Sequence, residues 1–141
     1  MSTQENKVVV HRMFDEALNK GNTSLINEVF APGYVDHSPL PAPVPGPEGF
    51  AKRLVALRGG FVEEALFGEF IAENDLVAFT WTFIGVHHGT FVGIAATGKK
   101  LTLSGINVER FENGKIVEHW SQYDLAGLMK QMNSAKYVVM I

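Results

Sequence analysis

Four side chains in one short stretch carry groups that can hold or move a proton. Asn107, His119, Ser121 and Tyr123 lie within residues 101–124 and bring together an amide, an imidazole and two hydroxyls. Imidazole titrates close to neutrality, so His119 needs little tuning to act as a general acid or base. A hydroxyl and an amide do not titrate there, but they can position a carbonyl or stabilise an enolate. The stretch otherwise reads as core: two arms of alternating apolar and polar residues joined at Asn113-Gly114, a strong hairpin signal. Buried polar groups are costly unless hydrogen-bonded, so this face either lines a ligand cavity or satisfies its own polar groups. A two-residue turn would pair Asn107 with Trp120. A three-residue turn, with Gly114 left-handed in a bulge, would pair Asn107 with His119 and put all four side chains on one face. Alternation alone does not choose between the two.

Further candidates lie upstream. His87 and His88 are adjacent, so on a strand they point to opposite faces and at most one sees a pocket; His87 is the favoured one. Asp36 and His37 could pair at a pocket rim, or the Asp36 carboxylate could bond backbone amides two or three residues on as turn chemistry. Tyr34, Trp81, Phe83, Phe91 and Trp120 are either plain core or the walls of an aromatic-binding cavity. Asp124 reads as the N-cap of a closing helix, with a compensating acid as the alternative. The five histidines show neither His-x-x-x-His nor His-x-His spacing, and no metal site is expected.

The elements that must position these groups follow from periodicity. Val10, Met13, Phe14, Ala17 and Leu18 mark an amphipathic helix ending near Gly21. Leu25, Ile26, Val29 and Phe30 mark a second, stopped by Pro32-Gly33, and residues 34–37 read as extended. Prolines 39, 41, 43 and 45 impose an extended path. Pro47 then opens a third helix with Phe50, Leu54, Leu57 and Phe61 as its stripe and Gly59-Gly60 near its end. From Glu64 the period becomes 2: residues 66–72, 76–88 and 90–94 read as strands, with Asn74-Asp75 as a tight turn. The hairpin and a helix over residues 125–132 follow, and the apolar residues 137–141 are expected to pack on the core or on a partner chain. Helices first and strands afterwards argue for an α+β fold, a single domain over residues 1–141.

The whole chain sets outer limits. It has 141 residues, 46% of them hydrophobic, a net charge of -3 and no cysteine, so cysteine nucleophiles, thiolate zinc sites and disulfides are excluded. No basic block of the kind that binds nucleic acid is present. No apolar run approaches membrane-spanning length and the N-terminus is polar, so a soluble cytoplasmic protein is expected.

Several pieces, taken in order, resemble the SnoaL-like polyketide cyclases of the nuclear transport factor 2-like (ketosteroid isomerase-like) fold. They are Asp36-His37-Ser38, Pro45-Gly46-Pro47-Glu48, Gly85-Val86-His87-His88-Gly89, Gly93-Ile94 with Thr97-Gly98-Lys99, residues 110–116, and Asp124-Leu125-Ala126-Gly127-Leu128 with Gln131. The resemblance implies a cone-shaped, curved antiparallel sheet wrapped around N-terminal helices and enclosing a pocket. It also implies homodimers through the sheet and no metal or organic cofactor. In the family's cyclases an aspartate and a histidine move protons during an aldol ring closure; their positions correspond here to Ser121 and Asn107. Neither replacement can do that proton transfer near neutral pH. The family's pair faces one cavity, which favours the bulged hairpin.

The expected protein therefore binds a small, apolar, oxygenated ligand. His119, His87 and Asp36 are the candidate acid/base groups, and Asn107, Ser121, Tyr123, Trp81, Tyr34 and His37 the substrate contacts. The expected chemistry is cofactor-free acid/base catalysis other than the standard aldol cyclisation. The alternative is a non-catalytic ligand-binding or dimerisation module.

Overall fold

A computed structural model describes residues 2–39 and 44–133. Helix α1 (Thr3–Arg12) opens on a capping box in which Ser2 and Glu5 satisfy each other's backbone amides. It runs directly into a π-helical stretch, Met13–Asn19. The expected stripe of Val10, Met13, Phe14, Ala17 and Leu18 is buried throughout. Arg58 closes this stretch by donating from Nη1 to the carbonyls of Leu18 and Asn19 at 2.7 and 2.9 Å. A short 3-10 turn (Thr23–Leu25) leads into α2 (Ile26–Val29).

Strand β1 (Phe30–Asp36) begins before Pro32-Gly33, so the chain is already extended where those residues were expected to stop a helix. An edge strand tolerates proline because one side of its ladder needs no donor. Helix α3 (Gly46–Gly60) buries Phe50 and Leu54, and β2 (Phe61–Glu73) takes over at Phe61, which was expected on the helix. Strand β3 (Leu76–His87) follows the turn at Asn74, whose φ of 54° is the left-handed conformation that asparagine tolerates. Residues 90–94 form no strand of the sheet; they make a small hairpin closed by a bridge between Phe91 and Ile94. Strands β4 (Lys100–Glu112) and β5 (Lys115–Tyr123) form the expected hairpin. Helix α4 (Leu125–Met132) starts where expected, with the Asp124 carboxylate accepting from the Gly127 amide at 2.9 Å. The expected docking of the apolar residues 137–141 lies outside the described residues.

The five strands lie in the order β1-β5-β4-β3-β2. All neighbours are antiparallel except β1, which runs parallel to β5, so the sheet is mixed rather than wholly antiparallel. Parallel pairing needs a long connection, and residues 37–114 separate these two strands. The sheet is curved and unclosed, and its concave face packs on α1, the π-helical stretch, α3 and α4.

Odd-numbered residues of β3 and β4 face inward: Val77, Phe79 and Phe83 from β3, Leu101, Leu103 and Phe111 from β4. Outward residues include Val35, Leu66, Ile71, Val86 and Ile106, all exposed. Where β5 has ended, the free edge of β4 is taken by a side chain. Gln131 of α4 accepts from the Thr102 amide and donates to its carbonyl, both at 2.8 Å, as a neighbouring strand would.

Candidate active site

The relation between β4 and β5 decides which polar groups meet. Their turn has two residues, with Asn113 and Gly114 at φ 51° and 79°, and Glu112 pairs with Lys115. Continued without interruption, that register would set Asn107 against Trp120. Instead β5 carries an extra residue: Phe111 pairs with Ile116, but Arg110 pairs with Glu118, leaving Val117 unpaired. A bulge of this kind shifts every later pair by one. Asn107 therefore faces Ser121, Glu109 faces His119 and Gly105 faces Tyr123. Both partners expected for Asn107 are replaced by Ser121, yet the expected outcome of the bulged reading holds: Asn107, His119, Ser121 and Tyr123 share the concave face. The bulge sits within β5, not at Gly114.

These four side chains line one cavity of about 570 Å³ between the sheet and the helices. Its remaining wall is mainly apolar: Met13, Phe14 and Leu18 of the π-helical stretch, Phe50 and Leu54 of α3, Trp81 and Phe83 of β3, Phe91 of the small hairpin, and Leu125 and Leu128 of α4. A mainly apolar hollow with a few convergent polar groups has the character of a small-molecule site.

Each polar group is presented in a defined way. The Trp81 indole N–H donates to Asn107 Oδ1 at 2.9 Å. Because that N–H can only donate, it fixes the amide orientation and leaves the Asn107 NH2 as a donor. Gly105 makes this possible: a Cβ there would lie 2.5 Å from the Trp81 ring and 2.7 Å from the Gln122 carbonyl. His119 is buried with its ring set edge-on against Phe50 and Phe30. Its Nδ1 lies 2.5 Å from Glu109 Oε1, so Nε2 is the ring nitrogen left for a bound molecule.

Glu109 is completely buried, and its Oε2 has no hydrogen-bond partner among the described residues. Burial pushes its carboxyl up; the adjacent His119 pulls the other way, and the nearby Asp36 adds to the rise. Asp36 is Cα partner to His119 on β1. Burial opposes its ionisation too, but hydrogen bonds from Ser38 and Arg53 outweigh it and hold its carboxyl below the usual range. The turn chemistry is present: the Ser38 amide donates to Asp36 Oδ1 at 2.9 Å. Oδ2 accepts from Arg53 Nη2 at 2.7 Å, and Arg53 in turn lines the cavity.

Other candidates stand elsewhere. His87 faces inward and is buried, as favoured over the exposed His88, but it is not part of the cavity wall. It holds the 88–99 loop: Nδ1 accepts the Thr97 amide at 3.3 Å, and its backbone bonds Gly98 and Lys99. Tyr34 is buried off the cavity, its hydroxyl 3.5 Å from Asp36 Oδ2, and burial followed by the Asp36 charge pushes its phenol up. His37 points to the outer face, 2.8 Å from Glu118 and stacked on Trp120. Asp36 and Tyr34 therefore support the wall rather than form it, and His37 is off the site because β1 alternates as the other strands do. Among the described residues no three His, Asp or Glu side chains gather as a metal site. No helix there is long and apolar enough to cross a membrane.

Two members of the site were not anticipated, Glu109 and Arg53. Glu109 could have been found: it lies two residues from Asn107, and alternate residues of a strand share a face in any register. Arg53 had no comparable signal, since its partner Asp36 lies on the preceding strand, 17 residues away and beyond the reach of any local pattern.

Comparison with known proteins agrees with this architecture. The family described as SnoaL-like polyketide cyclase matches residues 8–132. The chain is 34% identical over 139 residues to DnrD, an aklanonic acid methyl ester cyclase of Streptomyces peucetius, covering 94% of this chain and 92% of the relative. It is 33% identical over 131 residues to DauD, the enzyme of the same name from Streptomyces sp. (strain C5), covering 88% and 79%. The crystal structure of AclR from Streptomyces galilaeus superimposes with a TM-score of 0.84 at 25% identity, covering 98% of this chain and 87% of that one. A match over nearly the whole length, in sequence and in fold, places this chain in the SnoaL-like polyketide cyclase family.

Proposed function

We propose that this protein binds a small, apolar, carbonyl-bearing ligand in its cone and moves a proton to or from carbon without a cofactor, His119 being the shuttle. The observation that supports this is His119 in the cavity wall with the buried Glu109 behind it. A carboxylate on Nδ1 fixes the tautomer and orientation of the ring and stabilises the imidazolium formed when Nε2 accepts a proton.

Asn107 and Ser121 sit directly opposite each other one pleat away, roughly 7 Å along the strands. Their NH2 and OH groups suit the oxygen of a carbonyl whose α-carbon lies over His119. In one direction Nε2 takes the α-proton and the electron pair moves to that oxygen, where the two donors stabilise the enolate. In the other direction the imidazolium returns the proton.

The DnrD and DauD relatives are named as cyclases of a methyl ester, which fits an ester- or ketone-bearing ligand. Ser121 and Asn107 stand on the rung where the family's cyclases carry their acid/base pair, so the proposed chemistry is enolisation in preference to the standard aldol closure.

The test is deuterium uptake from D2O at the carbon between the carbonyls of a cyclic β-ketoester, followed by mass spectrometry. Uptake that falls to the solvent rate in His119→Gln is the expected result. Equal uptake in the variant and the wild type would defeat the catalytic reading and leave the binding module.

A further inference from the structure

Three non-glycine residues among those described have a left-handed backbone: Asn74 at φ 54°, Asn113 at 51° and Val92 at 44°. The two asparagines occupy the tips of the β2–β3 and β4–β5 hairpins, and asparagine is a residue that such turns favour. Val92 occupies the equivalent place in the small hairpin, where the Phe91 and Ile94 backbones bond each other at 3.0 and 2.9 Å across Val92-Gly93. A β-branched residue is among the poorest choices for a positive φ. Val92 is also 42% exposed, so burial in the core does not explain it.

The hairpin is held against the end of α3. The His88 and Gly89 amides both donate to the Gly60 carbonyl at 2.9 Å, and a Cβ on Gly60 would lie 2.7 Å from that of Phe91. Val92 is thus fixed in place at the cavity, whose wall it forms with Thr90 and Phe91. Strain kept in a residue that faces a cavity, while turns remote from it use asparagine, is the pattern of stability given up for function.

We propose that Val92 is a specificity-determining residue whose isopropyl group forms the apolar rim of the cavity and contacts the bound ligand. This rests on the ligand-binding reading above. The ligand class it selects is a flat apolar ketone whose ring system reaches from the polar rungs of β4 and β5 to the small hairpin. An isopropyl group contributes dispersion and desolvation there that neither glycine nor asparagine can supply.

The experiment compares wild type, Val92→Gly, Val92→Asn and Val92→Ile by thermal melting and by binding of 1-hydroxyanthraquinone. The NMR shift of the His119 ring reports occupancy of the cavity. Glycine and asparagine relieve the backbone, so Tm is expected to rise by roughly 3 °C or more, while the Kd for the probe weakens about five- to tenfold. Isoleucine keeps both the strain and the apolar rim, so its Tm and Kd should stay near the wild-type values. A higher Tm with unchanged Kd in the glycine variant would overturn the proposal, as would a Tm that does not rise. Failure of the wild type itself to shift the His119 signal would instead overturn the ligand reading on which the proposal rests.

Discussion

Glu109 Oε1 and His119 Nδ1 lie 2.5 Å apart between β4 and β5, with both side chains inside the protein. The pair exists because the extra residue Val117 shifts β5 by one position. Without the bulge His119 would face the opposite side of the sheet from Glu109, and the cavity would lose its imidazole.

Replacing Glu109 by Gln keeps an acceptor for Nδ1 but removes the charge that stabilises an imidazolium. Proton-transfer activity should fall by about 100-fold. The folded pKa of Glu109 is raised by burial, so its stabilising contribution is full below the unfolded pKa and is lost as pH rises through the folded one. A glutamine at this position cannot ionise, so the variant should melt no lower than wild type at neutral pH. Melting curves from about pH 4 to about pH 8 check this; a variant that loses stability relative to wild type as pH rises would contradict it.

Asp36 shifts the other way. Hydrogen bonds from Ser38 and Arg53 hold its pKa below the usual carboxylate range despite burial, so its stabilisation is present above the unfolded pKa and disappears as pH falls through the folded one. Asp36→Asn should cost about 2 kcal/mol at neutral pH, and the gap from wild type should close on acidification. A gap that stays constant to low pH would show that the Arg53 contact carries no charge-dependent stability.

Gly105→Ala tests how Asn107 is held. The added Cβ would meet the Trp81 ring and the backbone carbonyl of Gln122, and the backbone contact cannot be relieved by a rotamer change. We expect about 2 kcal/mol of destabilisation and weaker binding of a carbonyl ligand as the Trp81–Asn107 hydrogen bond is lost. Unchanged stability and affinity would show that the close packing of Trp81 on Gly105 does not govern the amide.

Turnover of aklanonic acid methyl ester is the direct comparison with the DnrD and DauD relatives. If the resemblance places Ser121 and Asn107 at the family's acid/base positions, little or no ring closure is expected beside DnrD under the same conditions, because neither an amide nor an unassisted hydroxyl transfers that proton near neutral pH. Turnover equal to that of DnrD would mean that the Glu109–His119 pair substitutes fully for the family pair.

The outer face of the sheet presents Val35, Leu66, Ile71, Val86 and Ile106, with Ile71 68% exposed. Exposed apolar groups concentrated on one face mark an association surface, and we infer a homodimer through this face. Light scattering at micromolar concentration should give twice the mass of the 15.5 kDa chain, and Ile71→Lys with Ile106→Lys should give the monomer. A monomeric wild type would refute the inference.

Periodicity in the sequence was enough to identify the helical N-terminal region, the hairpin at Asn113-Gly114 and the closing helix capped by Asp124. Those features depend on interactions within a few residues: an apolar stripe, a turn dipeptide, a carboxylate three residues from an amide. The sequence also determined that His119, Ser121 and Tyr123 share one face and that Asn107 and Glu109 share another, because alternation along a strand is local.

Whether those two faces are the same one was a tertiary decision. It depended on Val117 bulging from β5, and the turn residues by themselves would have given the opposite answer. The pairing of Asp36 with Arg53 was hidden likewise, since it follows from α3 packing on β1 and joins residues 17 apart in the chain, and which of Asp36 and His37 faces inward was set by β1 docking beside β5. Pattern along a chain records which side of its own strand a residue occupies; which residue stands opposite is set by long-range pairing energy that no local pattern contains.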